Sequence, residues 1–255
     1  GVSVLSSSSL ENSGLLMVNS GLNNGIINAG YFKNLLGGEV VIATISNFAG
    51  YYNTGTLINE GDLSISQILG LSSSGLKNSG LLQNTSSGLI EVFNVLSNGI
   101  YNDDILLNYG TCSVQNVNES APLLTANGIY NLDTLINYND ITIGDIEGYG
   151  IKTSLGSITI NNVDISISQT DYDGILADGY FRNNDEIVIA GSGQNAISIE
   201  GVLENNGMLE IFNPAQSGIK LVGSTAVLRN LILGDITIQN CPYYGIQSFG
   251  EIENF

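Results

Sequence analysis

Two aspartates, Asp104 and Asp133, occupy matching turns where neighbouring turns carry Gly30, Gly55 and Gly80. If those turns stack, the two carboxylates lie about 5 Å apart, near the separation of a retaining glycosidase pair. Asp103 stands beside them, so the group could also associate weakly with Ca2+. The plainer reading is structural: aspartate tolerates left-handed turn geometry and substitutes for glycine. Other reactive groups are few. Histidine is absent, which removes an imidazole base, Ser-His and Cys-His nucleophile pairs, and histidine-bound metals. Cys112 falls in an apolar column and reads as a small buried hydrophobe. Cys241 lies several repeat units further on, about 24 Å at ~4.8 Å per unit, beyond disulfide reach. Asn84-Thr85-Ser86 and Asn118-Glu119-Ser120 match the N-glycosylation pattern, which recurs often by chance.

Composition narrows the class. The chain has 255 residues, 43% of them apolar, enough for one substantial core or a long repeat array. Its 32 glycines, three prolines and lack of tryptophan suit a turn-rich all-β solenoid better than an α/β enzyme. With 24 acidic residues against 6 basic ones the net charge is −18, which argues against nucleic acid as a partner. No apolar run is long enough to span a membrane, and no charged-then-apolar signal segment opens the chain.

The elements that must position these residues repeat. From Gly50 to Ile65 the chain reads GYYNTGTLINEGDLSI: short alternating runs, each a predicted strand, separated by the N-x-G turns Asn53-Thr54-Gly55 and Asn59-Glu60-Gly61. Such a three-strand unit cannot bury its own apolar face. Anchored on the small residue before the first apolar position, units begin at Ser3, Gly25, Gly50, Gly75, Gly99, Gly128, Gly150, Gly174, Ala196, Gly218 and Gly245, spaced by 22 to 29 residues. That is a solenoid period. One residue past each anchor every position is apolar, from Val4 to Ile246. Seven past it come Leu10, Phe32, Leu57, Leu82, Leu106, Leu135, Phe181, Leu203 and Ile252, with Ile158 and Leu228 expected as the equivalents in two slipped units. Third-strand pairs such as Leu63/Ile65 and Cys112/Val114 complete three inward ladders.

The turns repeat as well. Asn28, Asn53, Asn78, Asn102 and Asn131 form one column; Asn34, Asn59, Asn84, Asn108 and Asn137 belong to another that includes Asn12, Asn183, Asn205 and Asn254. Stacked amides can hydrogen-bond from coil to coil, so both columns read as a structural ladder. Glycine two residues later is expected to supply a left-handed backbone.

Outward positions carry more apolar residues than solvent-facing strands usually do. Tyr52, Tyr101 and Tyr130 flank the first ladder, and Ile105, Leu107 and Ile136 flank the second. Such a connected patch marks a contact face for other copies of the chain, flanking segments of the same polypeptide, or surface glycans stacked on tyrosine. Length variation gathers between the third strand and the next anchor; the longest connection, Gln115 to Asn127, contains Pro122 and Leu123-Leu124. Both binding and edge protection would suit that position.

The N-x-G-x-I/L repeats resemble the right-handed parallel β-helices of the pectin-lyase-like superfamily, and within it the secreted bacterial adhesins of filamentous-haemagglutinin and autotransporter type. The resemblance implies a right-handed coil and a secreted or surface location. Pectate lyases and polygalacturonases share that architecture, but the clustered Asp, His and Arg/Lys motifs of the latter are missing. A lyase would need a base beside acidic sugar, and Lys33, Lys77, Lys152, Lys220, Arg182 and Arg229 look scattered over separate coils. The expectation is therefore an all-β, single-stranded parallel β-helix of about ten coils. Each coil has three short strands, and the solenoid runs over residues 1–255 as an uncapped segment of a longer array. Its expected role is that of an extracellular structural or adhesive rod of a bacterial surface protein or filament, with no catalysis and no cofactor. A glycan-binding module, or a polysaccharide-degrading enzyme using Asp104 and Asp133, is the alternative.

Overall fold

Each repeat supplies three short strands with one apolar face apiece, and stacking repeat upon repeat buries all three faces in one continuous interior. The computed structural model describes residues 1–70, 73–118 and 125–255. Pro122, Leu123-Leu124 and the Glu119-Ser120 part of the second sequon lie outside the described residues. The result is a parallel β-helix with three sheets and no helix among the described residues. The first sheet has 11 strands, from Val2–Val4 to Ile246–Ser248, and the second has 11, from Ser9–Asn12 to Glu251–Asn254. The third has 10, from Leu15–Gly21 to Asp235–Gln239. Each strand pairs in parallel with its counterparts one coil earlier and one later. Coils are numbered below by their second-sheet strand, so Ile105–Asn108 is the fifth and Thr134–Asn137 the sixth.

Register corrects the expected columns at two places. Val2, not Val4, pairs with Ile26, so the first unit is anchored on Gly1 rather than Ser3. In the seventh coil Thr159, not Ile158, takes the inward position between Leu135 and Phe181, while Ile158 is 42% exposed. The cause is the turn Ser154-Leu155-Gly156-Ser157, two residues longer than its counterpart Leu132-Asp133. An even insertion preserves the strand phase but moves the inward residue two places along. Leu228 does occupy the inward position between Leu203 and Ile252.

The third strand contains a feature that alternation alone does not foretell. Two residues beyond its second inward side chain the backbone turns left-handed in every coil: Ser20, Thr44, Gln67, Asn94, Asn116, Asp145, Gln169, Gly191, Asn213 and Asn240, with φ between 52° and 73°. Each shifts the strand phase by one, as a bulge does. The next residue then points inward, giving a further buried column that includes Ile45, Ile68, Val95, Val117 and Ile146.

The interior is aliphatic with few aromatic rings. Phe32 meets Tyr51 edge-to-face at 5.6 Å, and both are fully buried. The Tyr51 hydroxyl has no hydrogen-bond partner, and burial pushes its pKa well above the ordinary tyrosine value. Tyr51→Phe removes that unsatisfied group while keeping the ring, so it raises the unfolding free energy by about 1–2 kcal/mol, read by urea denaturation. A loss of stability would mean that the hydroxyl is solvated.

Candidate contact faces

The asparagine columns sit where the strands turn. Asn28 Nδ2 donates to Asn53 Oδ1, Asn53 to Asn78, Asn78 to Asn102 and Asn102 to Asn131, each at 2.7 Å. Asn131 then donates to Thr159 Oγ1 at 3.0 Å, in the coil where Thr153 stands in the asparagine position. The second column runs without a break from Asn12 to Asn254 at 2.8 to 3.0 Å. It includes Asn161 and Asn230, which counting from the anchors had passed over. Asn84, of the first sequon, is fully buried inside this ladder.

The glycines after these asparagines are not left-handed: Gly30, Gly55 and Gly80 have no positive φ, and neither do Asp104 and Asp133. Their role is close approach. A Cβ on Gly55 would stand 2.1 Å from the Gly30 carbonyl oxygen. Asp104 and Asp133 do hold equivalent places in successive coils, since their carbonyls accept the N–H groups of Thr134 and Ile158. Asp133 Oδ1 accepts the Thr134 hydroxyl at 2.9 Å, and Asp103 Oδ1 is buried without a partner. Among the described residues no three Asp, Glu or Cys side chains gather closely enough to hold a metal ion.

The basic residues are less scattered than their numbers suggest. All six lie in two outward columns. On the first sheet Tyr52, Lys77, Tyr101, Tyr130 and Lys152 follow one another in register, and Lys220 stands three coils beyond. Lys77 Nζ lies 5.1 Å from the Tyr52 ring centre and 5.3 Å from that of Tyr101. Lys152 stands likewise over Tyr130 and Tyr149, and Tyr101 meets Tyr130 edge-to-face at 5.5 Å. Burial, then the Asp103 carboxylate, raises the Tyr101 pKa. The face is a half-buried ribbon of tyrosines interleaved with cations.

The second sheet carries Lys33, Arg182 and Arg229, all paired: Lys33 with Glu60 at 2.7 Å, and Arg229 with Glu253 at 2.7 Å and Glu204 at 3.3 Å. Arg182 lies 4.0 Å from Glu204, which also accepts the Tyr180 hydroxyl at 2.6 Å. Between these charged flanks Ile58, Leu81, Ile105, Leu107 and Ile136 are joined by Ile158 and Ile160 in an aliphatic patch two columns wide. The last two were missed because the seventh coil was read out of phase.

The third sheet faces outward with acid. Asp140, Asp164 and Glu186 stack in successive coils. The pKa values of Asp164 and Glu186 are raised, first by desolvation and then by neighbouring carboxylates. Alongside, the left-handed column opens an open cleft of about 610 Å3 lined by Asn116, Asp145, Gln169, Asp171 and Gly191. Both cysteines are free; burial pushes the Cys112 thiol up to about 12.

Comparison with protein-family models, with curated proteins and with solved structures finds no match to this chain.

Proposed function

We propose that this chain is a structural and adhesive β-helical rod, displayed outside the cell as part of a bacterial surface protein or filament, and that it works without catalysis. One observation carries the reading. An amide ladder runs unbroken through eleven coils from Asn12 to Asn254, over a core of stacked aliphatic columns. Those interactions repeat along one axis and build length and stiffness, while the side chains that vary from coil to coil face outward. Labelling intact producing cells with an antibody against the chain tests the location: staining without permeabilisation is expected. Staining that needs permeabilisation would sink the proposal.

The tyrosine–lysine ribbon favours a second reading, a glycan-binding module. Tyr52, Tyr101 and Tyr130 are half-buried aromatic contacts for a sugar, and Lys77 and Lys152, which stand over their rings, favour acidic sugars. Titration with neutral and uronic oligosaccharides would show saturable heat that Tyr101→Ala abolishes. Heat unchanged by that substitution would rule out this face.

A further inference from the structure

We propose that two copies of this chain pair antiparallel through the outer face of the second sheet, about a two-fold axis between the fifth and sixth coils. The argument starts from one outward column. It opens with Glu11 and Lys33, is uncharged from Ile58 through Gln83, Leu107 and Ile136 to Ile160, then alternates through Arg182, Glu204 and Arg229. An axis parallel to the strands turns the second copy over and reverses its coil order, leaving strand direction unchanged. Each column then faces itself, and coil numbers sum to eleven across the interface.

Under that operation the pattern complements itself. Leu107 meets Ile136 of the second copy, and Gln83 meets Ile160. Lys33 meets Glu204, and Glu11 meets Arg229. Symmetry doubles each pair, so an aliphatic centre is closed at both ends by opposite charges. Arg182 meets Ile58; its guanidinium is already held by Asn184 Oδ1 at 2.7 Å, which leaves the side-chain stem to cover the isoleucine. In the companion column Leu81 meets Ile158 and Ile105 meets Thr134, with no charge from Ser9 to Val227.

Neither other face complements itself this way. The same axis on the first sheet would set Lys77 against Lys152, and the third sheet presents stacked carboxylates. On both faces like charges would meet in the seam itself, lysine against lysine or carboxylate against carboxylate. Ten coils at ~4.8 Å, with four-residue strands, present about 600 Å2 per copy, and the total of about 1,200 Å2 reaches the lower end of stable interfaces.

Sedimentation equilibrium of the whole chain tests the pairing, with a species of twice the 26.9 kDa chain mass expected. Ile136→Lys places two lysines at the axis and raises the dimer dissociation constant by at least about 100-fold. Leu107→Lys does the same, and circular dichroism shows both variants folded, since neither side chain enters the core. Lys33→Glu weakens the dimer about tenfold, and adding Glu204→Lys restores it. A purely intrachain effect predicts the reverse, because the double variant loses more of its own ion pairs. A monomeric wild type, a dimer indifferent to Ile136→Lys, or no recovery in the double variant would each overturn the proposal. The pairing does not rest on the surface-rod reading, and cell labelling decides that separately.

Discussion

Asn59→Leu lowers the unfolding free energy by about 2–4 kcal/mol, measured by urea denaturation; leucine keeps the branching of asparagine but has no polar atom and bulkier methyl groups. Asn59 is fully buried; its Oδ1 accepts from Asn34 Nδ2 at 2.9 Å, and its Nδ2 donates to Asn84 Oδ1 at 2.9 Å and the Leu89 carbonyl at 3.0 Å. Leucine can do neither. Asn34 keeps the carbonyls of Gly38 and Asp62, but Asn84 Oδ1 and the Leu89 carbonyl lose this donor in a space closed to water. Asn254→Leu is the control. That side chain makes one exposed ladder contact, at 3.0 Å, so its replacement costs less than about 1 kcal/mol. Equal costs at the two positions would show that the ladder contributes through packing alone.

Phe181→Ala costs about 3–5 kcal/mol, with hydrogen exchange accelerated mainly in coils seven to nine. Phe181 is fully buried in an inward column between Thr159 and Leu203. Thr159 is smaller than the leucines elsewhere in this column and holds the Asn131 amide through its hydroxyl, so it cannot expand into a void. The surrounding strands are bonded on both sides, which restrains collapse of the wall and keeps the cavity open. Its outward neighbour Arg182 provides the contrast: Arg182→Ala removes a half-exposed ion pair and changes stability by less than about 1 kcal/mol. Exchange that quickens uniformly along the chain would mean that the coils unfold as one block.

Most of the fold was legible in the sequence because the same contact recurs in every coil, and one misassigned unit leaves the others intact. Apolar columns such as Ile26, Tyr51 and Leu76 announce the first sheet at constant distance from a glycine. Counting from that glycine fails where a turn lengthens. The two extra residues in the turn before Ile158 hid Thr159, Asn161 and the outward Ile160 together. The left-handed column was hidden differently. Measured from the next anchor it wanders, because the connection between them varies; measured from the third strand it is constant, two residues after Ile42, Ile65, Val92 or Val114. In five successive coils, from Thr44-Ile45 to Asp145-Ile146, a polar residue there followed by an apolar one was a visible signal that strand alternation explained away. The contact faces were legible in order as well, with Tyr52, Lys77, Tyr101, Tyr130 and Lys152 in one outward column. What counting could not give was side-chain geometry: Lys77 stands over two rings, and Lys152 over Tyr130 and Tyr149, which belongs to no column counted from the anchors.

The amide ladders also give the coil stack a direction. Along both columns every Nδ2 points toward the next coil and every Oδ1 toward the preceding one, from Asn28 to Asn131 and from Asn12 to Asn254. Outside these two columns, isolated contacts run the other way, from Asn127 to Asn98, Asn184 to Asn162 and Asn240 to Asn213. Each side-chain amide resembles a peptide unit, whose dipole is about 3.5 D, and aligned dipoles add. The coil stack is thus a weak electrical vector, with its positive pole at the last coil and its negative pole at the first. Two such vectors lying side by side attract when they are opposed and repel when they are aligned.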